Sequence, residues 1–140
     1  MSPITGFFNG LTPEKLDTLG DIYSPGVEFQ NPLRQIRGLP ELRRVYEHLF
    51  QQLEHMTVAV TDVHGDDRTG FLLWTMNYQY RGMERSITGT SHIRFAPDGR
   101  VAAQTDHWDA SFPIYGEYPL LGWAMRNIKR LAAAKTKSED

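Results

Sequence analysis

From Gly70 to Asp109 the chain reads GFLLWTMNYQYRGMERSITGTSHIRFAPDGRVAAQTDHWD. Gly70 to Tyr80 and Ser86 to Phe95 are rich in aromatic and β-branched residues and read as strands. Arg81-Gly82-Met83 turns the chain between them, and Ala96-Pro97-Asp98-Gly99 turns it again before a strand from Arg100 to Asp109. One strand earlier, Met56 to Val63 ends at the turn Gly65-Asp66-Asp67. Short turns join neighbours antiparallel, so these stretches form a meander of successive hairpins.

The residues before the meander read as helices. Thr12-Pro13-Glu14 has the form of a helix start, with Thr12 as cap and Pro13 at the first helical position, and Leu16, Leu19 and Ile22 follow on one apolar face. That helix is expected to end near Tyr23-Ser24-Pro25-Gly26. Val27 to Asn31 then alternates as a short strand with Val27, Phe29 and Asn31 on one face. Gly38 to Leu53 is a second helix whose Leu42, Val45, Tyr46, Leu49 and Leu53 repeat at helical spacing. A last helix is expected over Pro119 to Ala134, ahead of a disordered tail at 135–140. Helices first and a meander afterwards predict an α+β domain, residues 1–134, with helices on one face of a curved antiparallel sheet.

Composition bounds the function. A chain of 140 residues is the length of one ordinary domain, and 15 basic against 17 acidic residues give no one-sided charge for nucleic acid. There is no cysteine, so a disulfide, a thiolate metal site and a cysteine nucleophile are all excluded. With no signal-like start and no apolar run of membrane-spanning length, a cytoplasmic protein without an integral membrane segment is expected. His48, His55, His64, His92 and His107 lack metal-motif spacing, and Gly82, Gly89 and Gly99 form no phosphate loop, so neither metal nor cofactor is expected.

Gln104-Thr105-Asp106-His107-Trp108-Asp109 carries the best candidate chemistry. Alternation sends Asp106 and Trp108 to one face and His107 to the other. A carboxyl buried among aromatics is held back from ionising, which makes it a general acid or base near neutral pH; the alternatives are an arginine pair or a loop cap. Asn31 is the second polar candidate, able to hold a water or substrate oxygen, although Asn before Pro also starts turns. Trp74, Met76 and Tyr78 share one strand face and Ser91 and Ile93 the next, lining either a binding cavity or a filled core.

Taken together, the first helix, the segment Tyr23 to Pro32, the Gly38 helix, the meander and Asp106-His107-Trp108-Asp109 resemble the nuclear transport factor 2-like superfamily. The resemblance implies a cone-shaped, cystatin-like fold around a pocket for a small lipophilic molecule, with homodimerisation through the sheet. The superfamily includes ketosteroid isomerases, limonene-epoxide hydrolases, SnoaL-like polyketide cyclases and non-catalytic proteins, so it leaves the function open. The carboxylate base, tyrosine and protonated aspartic acid of ketosteroid isomerases correspond to Asn31, Phe7 and Ser91, which cannot fill those roles. The limonene-epoxide hydrolase pattern resembles Asp106 to Asp109 and Phe29-Gln30-Asn31, implying Asp106 as base and Asn31 as positioner. That family's tyrosine is Phe29 here, and its arginine and second aspartate fall at Trp74 and Met76. SnoaL-like cyclases demand fewer partners for a single pocket carboxylate. The resemblance thus implies a cyclase, isomerase or hydrolase centred on Asp106, with Phe29, Tyr46, Trp74, Met76, Tyr78, Ser91, Ile93 and Trp108 against the substrate; the alternative is a lipid- or metabolite-binding module without catalysis.

Overall fold

The structure, a computed structural model, describes residues 2–108. The helix expected over Pro119 to Ala134, the tail at 135–140 and the strand end at Asp109 lie outside the described residues.

The amino-terminal part supplies helices α1 (Ser2–Asn9), α2 (Leu19–Ile22) and α3 (Leu39–Gln52). Helix α1 lies in a stretch where the sequence suggested no element, yet its Ile4, Phe7 and Phe8 are all buried. The continuous helix expected from Thr12 is instead a 3-10 helix, Pro13–Thr18, followed by the single turn of α2. Thr12 is extended ahead of Pro13 as a cap should be, but its side chain makes no capping bond, while Thr18 Oγ1 bonds back to the Lys15 carbonyl at 2.7 Å. That i−3 bond suits the tighter 3-10 winding. Leu16 and Leu19 still reach the core. Helix α3 begins after Gly38, whose φ of 93° is open to glycine at low cost, and buries Leu42, Val45 and Tyr46.

Six strands follow one another as β1 (Tyr23–Gln30), β2 (Gln35–Arg37), β3 (Glu54–Gly65), β4 (Thr69–Tyr80), β5 (Met83–Phe95) and β6 (Val101–His107). Their order across the sheet is β2-β1-β6-β5-β4-β3. The meander β3 to β6 is antiparallel throughout, but β1 lies parallel to β6, which makes the sheet mixed rather than wholly antiparallel. A parallel neighbour cannot be reached by a tight turn. Here the crossover is α3 together with the strands β3 to β5, so no local signal announces the pairing. The short strand β2, paired antiparallel to β1, also escaped the sequence reading.

The helices cover one face of the sheet. On β4, Leu72, Trp74, Met76 and Tyr78 are buried while Phe71 and Leu73 face outward. On β6 a register irregularity opposite Arg94 and Phe95 inserts one residue, so Val101 and Gln104 both point inward although three positions apart. This bulge sets the phase of the rest of the strand, and Gln104 and Asp106 are buried together.

Candidate functional site

The polar residues buried under the helices meet around Asp106. Gln104, Ser91 and Tyr23 retain at most 1% of their surface and Asp106 retains 9%. Ser91 sits on β5 directly opposite Asp106 on β6. Its Oγ donates to Asp106 Oδ1 at 2.5 Å. Trp74, from β4, donates its indole Nε1–H to the same Ser91 oxygen at 2.9 Å. Because an indole nitrogen only donates, Ser91 accepts that bond and keeps its own hydrogen for Asp106.

A second arm reaches the same oxygen from the other side. Gln104 Nε2 donates to Asp106 Oδ1 at 2.9 Å, and Gln104 Oε1 accepts from the Tyr23 hydroxyl at 2.7 Å. The single hydroxyl hydrogen of Tyr23 is thereby committed. In the 2.9 Å contact between Tyr23 and Tyr46 the donor is therefore Tyr46. The string runs Tyr46, Tyr23, Gln104, Asp106, Ser91, Trp74, and draws on α3, β1, β6, β5 and β4. Every donor in it points towards Asp106. Among the described residues both bonds fall on Oδ1 and none on Oδ2.

Burial raises the Asp106 pKa to about 6, against the opposing pull of the Ser91 and Gln104 donors and the charge of His107. Burial pushes the Tyr23 hydroxyl well above the ordinary phenol range and raises that of Tyr46, and the charge of Asp106 adds to both. Both phenols are thus neutral donors at any physiological pH. Aromatic rings wall this polar string: Phe7 meets Tyr23 and Tyr46 edge-on at centroid distances of 5.9 and 5.8 Å, Phe29 lies 6.4 Å from Tyr46, and Trp74 lies 6.4 Å from Trp108. Trp74 has room only because residue 89 is glycine. A Cβ there would collide with the far edge of the indole and come within 2.8 Å of the His107 carbonyl oxygen.

The residues singled out by sequence therefore divide. Asp106, Ser91, Trp74 and Tyr46 belong to one bonded string, while Phe29 and Trp108 flank it; Met76, Tyr78 and Ile93 are buried. Trp108, half-buried, follows the end of β6, and His107 faces outward, as alternation required. Asn31 is buried one residue beyond β1, and its Oδ1 accepts from the backbone N–H of Leu33 at 2.9 Å and of Arg34 at 3.0 Å. It starts a turn, the alternative to the strand position. Gln30, the last residue of β1, is level with Thr105 in the parallel register. Gln104 and Tyr23 were given no role from sequence. Gln104 could have been found, since alternation puts it on the Asp106 face; Tyr23, read as a helix end, could not. Among the described residues no three His, Asp or Glu side chains converge as a metal ion would require.

This arrangement of helices and sheet has relatives among solved structures. An LEH-like epoxide hydrolase from M. tuberculosis superposes with a TM-score of 0.63 at 16% identity, covering 77% of this chain and 80% of that one. A protein of Jannaschia sp. CCS1 described as a SnoaL-like polyketide cyclase gives 0.67 at 13%, covering 76% and 82%. An NTF2-like protein of unknown function from Exiguobacterium sp. 255-15 gives 0.64 at 15%, covering 76% and 94%. At such identities the likeness shows the fold alone. No curated protein matches the chain by sequence. The SnoaL-like domain matches residues 4–104, ending two residues short of Asp106, so the match speaks for the scaffold and is silent on the carboxyl. With that match spanning most of the sequence, the chain belongs to the SnoaL-like domain family.

Proposed function

We propose that the protein is a cofactor-independent cyclase, isomerase or hydrolase acting on a small lipophilic molecule, with Asp106 as its general acid and base. The observation that carries this reading is the buried Asp106 carboxyl, bonded only to uncharged donors among the described residues and with a pKa raised to about 6. Such a group is ionised enough at neutral pH to accept a proton and acidic enough to return it. The aromatic rings around it suit an apolar substrate. Phe29, Tyr46, Trp74, Met76, Tyr78, Ile93 and Trp108 hold that substrate, and Ser91 orients the carboxyl. Asn31 positions a reacting oxygen; its own carboxamide oxygen is committed to the turn, so this task falls to its Nδ2 hydrogens. The working unit is one domain, residues 1–134, in the cytoplasm, paired with a second copy through the outer face of the sheet.

Native mass spectrometry of protein freshly purified from cell extract, compared with Asp106→Asn, tests the enzyme reading. A molecule retained by the variant and converted by the parent protein identifies the substrate and gives Asp106 its role. The same molecule bound unchanged by both forms sinks catalysis and leaves a carrier.

A further inference from the structure

We infer that Gln104, Tyr23 and Trp74 are positioning residues that commit one oxygen of Asp106, Oδ1, to the protein and confine the transferable proton to the other, Oδ2. The inference rests on the reading of Asp106 as acid and base. It follows from the direction of each hydrogen bond. Trp74 cannot accept, so Ser91 has no choice but to point its hydrogen at Oδ1. Tyr23 fastens the Gln104 carbonyl oxygen, so the amide presents Nε2–H, and not its oxygen, to the carboxyl. Tyr46 donates to Tyr23 and holds that hydroxyl in the same sense. Turning the amide over would require Tyr23 and Tyr46 to reverse their hydrogens together.

An oxygen that accepts bonds from both Ser91 and Gln104 is a poor place for a proton, because a hydrogen there would face the hydrogens of both donors. Oδ2 takes none of these bonds. A substrate must therefore meet Asp106 at Oδ2. The device is built entirely from uncharged groups, which hold the anion without fixing it as an ion pair would. Of the titratable groups around Asp106, Tyr23 on β1 and Tyr46 on α3 stay neutral through burial, while His107, on the outward face of β6, lies within electrostatic reach of the carboxyl.

Infrared spectroscopy of the isolated protein across a pH titration tests this, with Asp106→Asn identifying the Asp106 band. In the protonated state the remaining C=O is Oδ1, so its stretch lies low in the parent protein and moves to higher frequency in Gln104→Leu. The midpoint in that variant rises by roughly one pH unit, the worth of one hydrogen bond to a charged group. Tyr23→Phe, which keeps the ring and unfastens the amide, moves the midpoint the same way by less. Band and midpoint unchanged in folded Gln104→Leu and Tyr23→Phe overturn the inference; if Gln104→Leu does not fold, an unchanged Tyr23→Phe does so alone. The titration needs no substrate. Shifted midpoints in a protein that converts nothing would remove the enzyme reading and leave the positioning intact, whereas turnover with unmoved midpoints would do the reverse.

Discussion

Asp106 is held at a cost. Its carboxyl is harder to ionise in the folded protein than in the unfolded chain, so between about pH 4 and pH 6 the native state binds more protons and loses stability as pH rises. The shift from 3.8 to about 6 corresponds to about 3 kcal/mol at neutral pH. Asp106→Asn keeps an acceptor for Ser91 and Gln104 and places its NH2 at the Oδ2 position. We therefore expect it to be more stable than the parent protein by up to about 3 kcal/mol above pH 7, with the difference vanishing below pH 4. Urea denaturation at a series of pH values reads this directly; a variant less stable at pH 7 would mean that the carboxyl is not strained by burial. Gly89→Ala argues the same site from its wall. The added methyl drives Trp74 off Ser91, so the expected outcome is a shifted tryptophan emission and a loss of about 1–3 kcal/mol, the range for inserting a methyl where there is no room for it.

Periodicity is the quantity that sequence carries best, and the elements show where it suffices. Helix α3 was legible because Leu42, Val45 and Tyr46 recur at helical spacing, and they are the residues it buries. Strands β3 to β6 were legible because short turns and alternation agree. Leu42→Ala should therefore cost about 2–5 kcal/mol, while exposed Arg44→Ala, losing only its pair with Glu41, should stay within about 0.5 kcal/mol. Denaturant midpoints of both variants check the face assignment. Illegible were the features set by distant partners. Helix α1 is short and earns its place by packing Phe7 against Tyr23 and Tyr46. The parallel pairing of β1 with β6 has no local signature, and so neither does the Tyr23 to Gln104 bond that it makes possible. Asp106 could be chosen from one strand alone; the arms that hold it required the register of several.

At the scale of the whole molecule, the outer face of the sheet carries apolar side chains that the other described residues leave exposed. Phe71 keeps 52% of its surface and stacks on His92 with centroids 4.5 Å apart, and Leu73 on the same face keeps 37%. Isolated apolar residues are ordinary on a surface, but a flat aromatic pair on a broad sheet suits the self-complementary contact of a two-fold dimer. If the protein pairs through this face, sedimentation equilibrium will find a dimer for the parent chain and a monomer for Phe71→Glu. A dimer indifferent to that change would place the interface elsewhere.

The parallel seam between β1 and β6 has a bearing on how the chain is made. Tyr23 and Gln104 are 81 positions apart, and Arg100 donates to the Gly20 carbonyl across 80. During synthesis the helices and β1 leave the ribosome long before the strand that completes them, and until β6 emerges β1 has only the three-residue strand β2 beside it. Contacts spanning so much chain slow folding and lengthen the time that apolar surface is exposed. The carboxyl at residue 106 arrives with the same strand that closes the seam, so its pocket of donors and the finished sheet come into being in one late event, and a chain interrupted before that point carries neither.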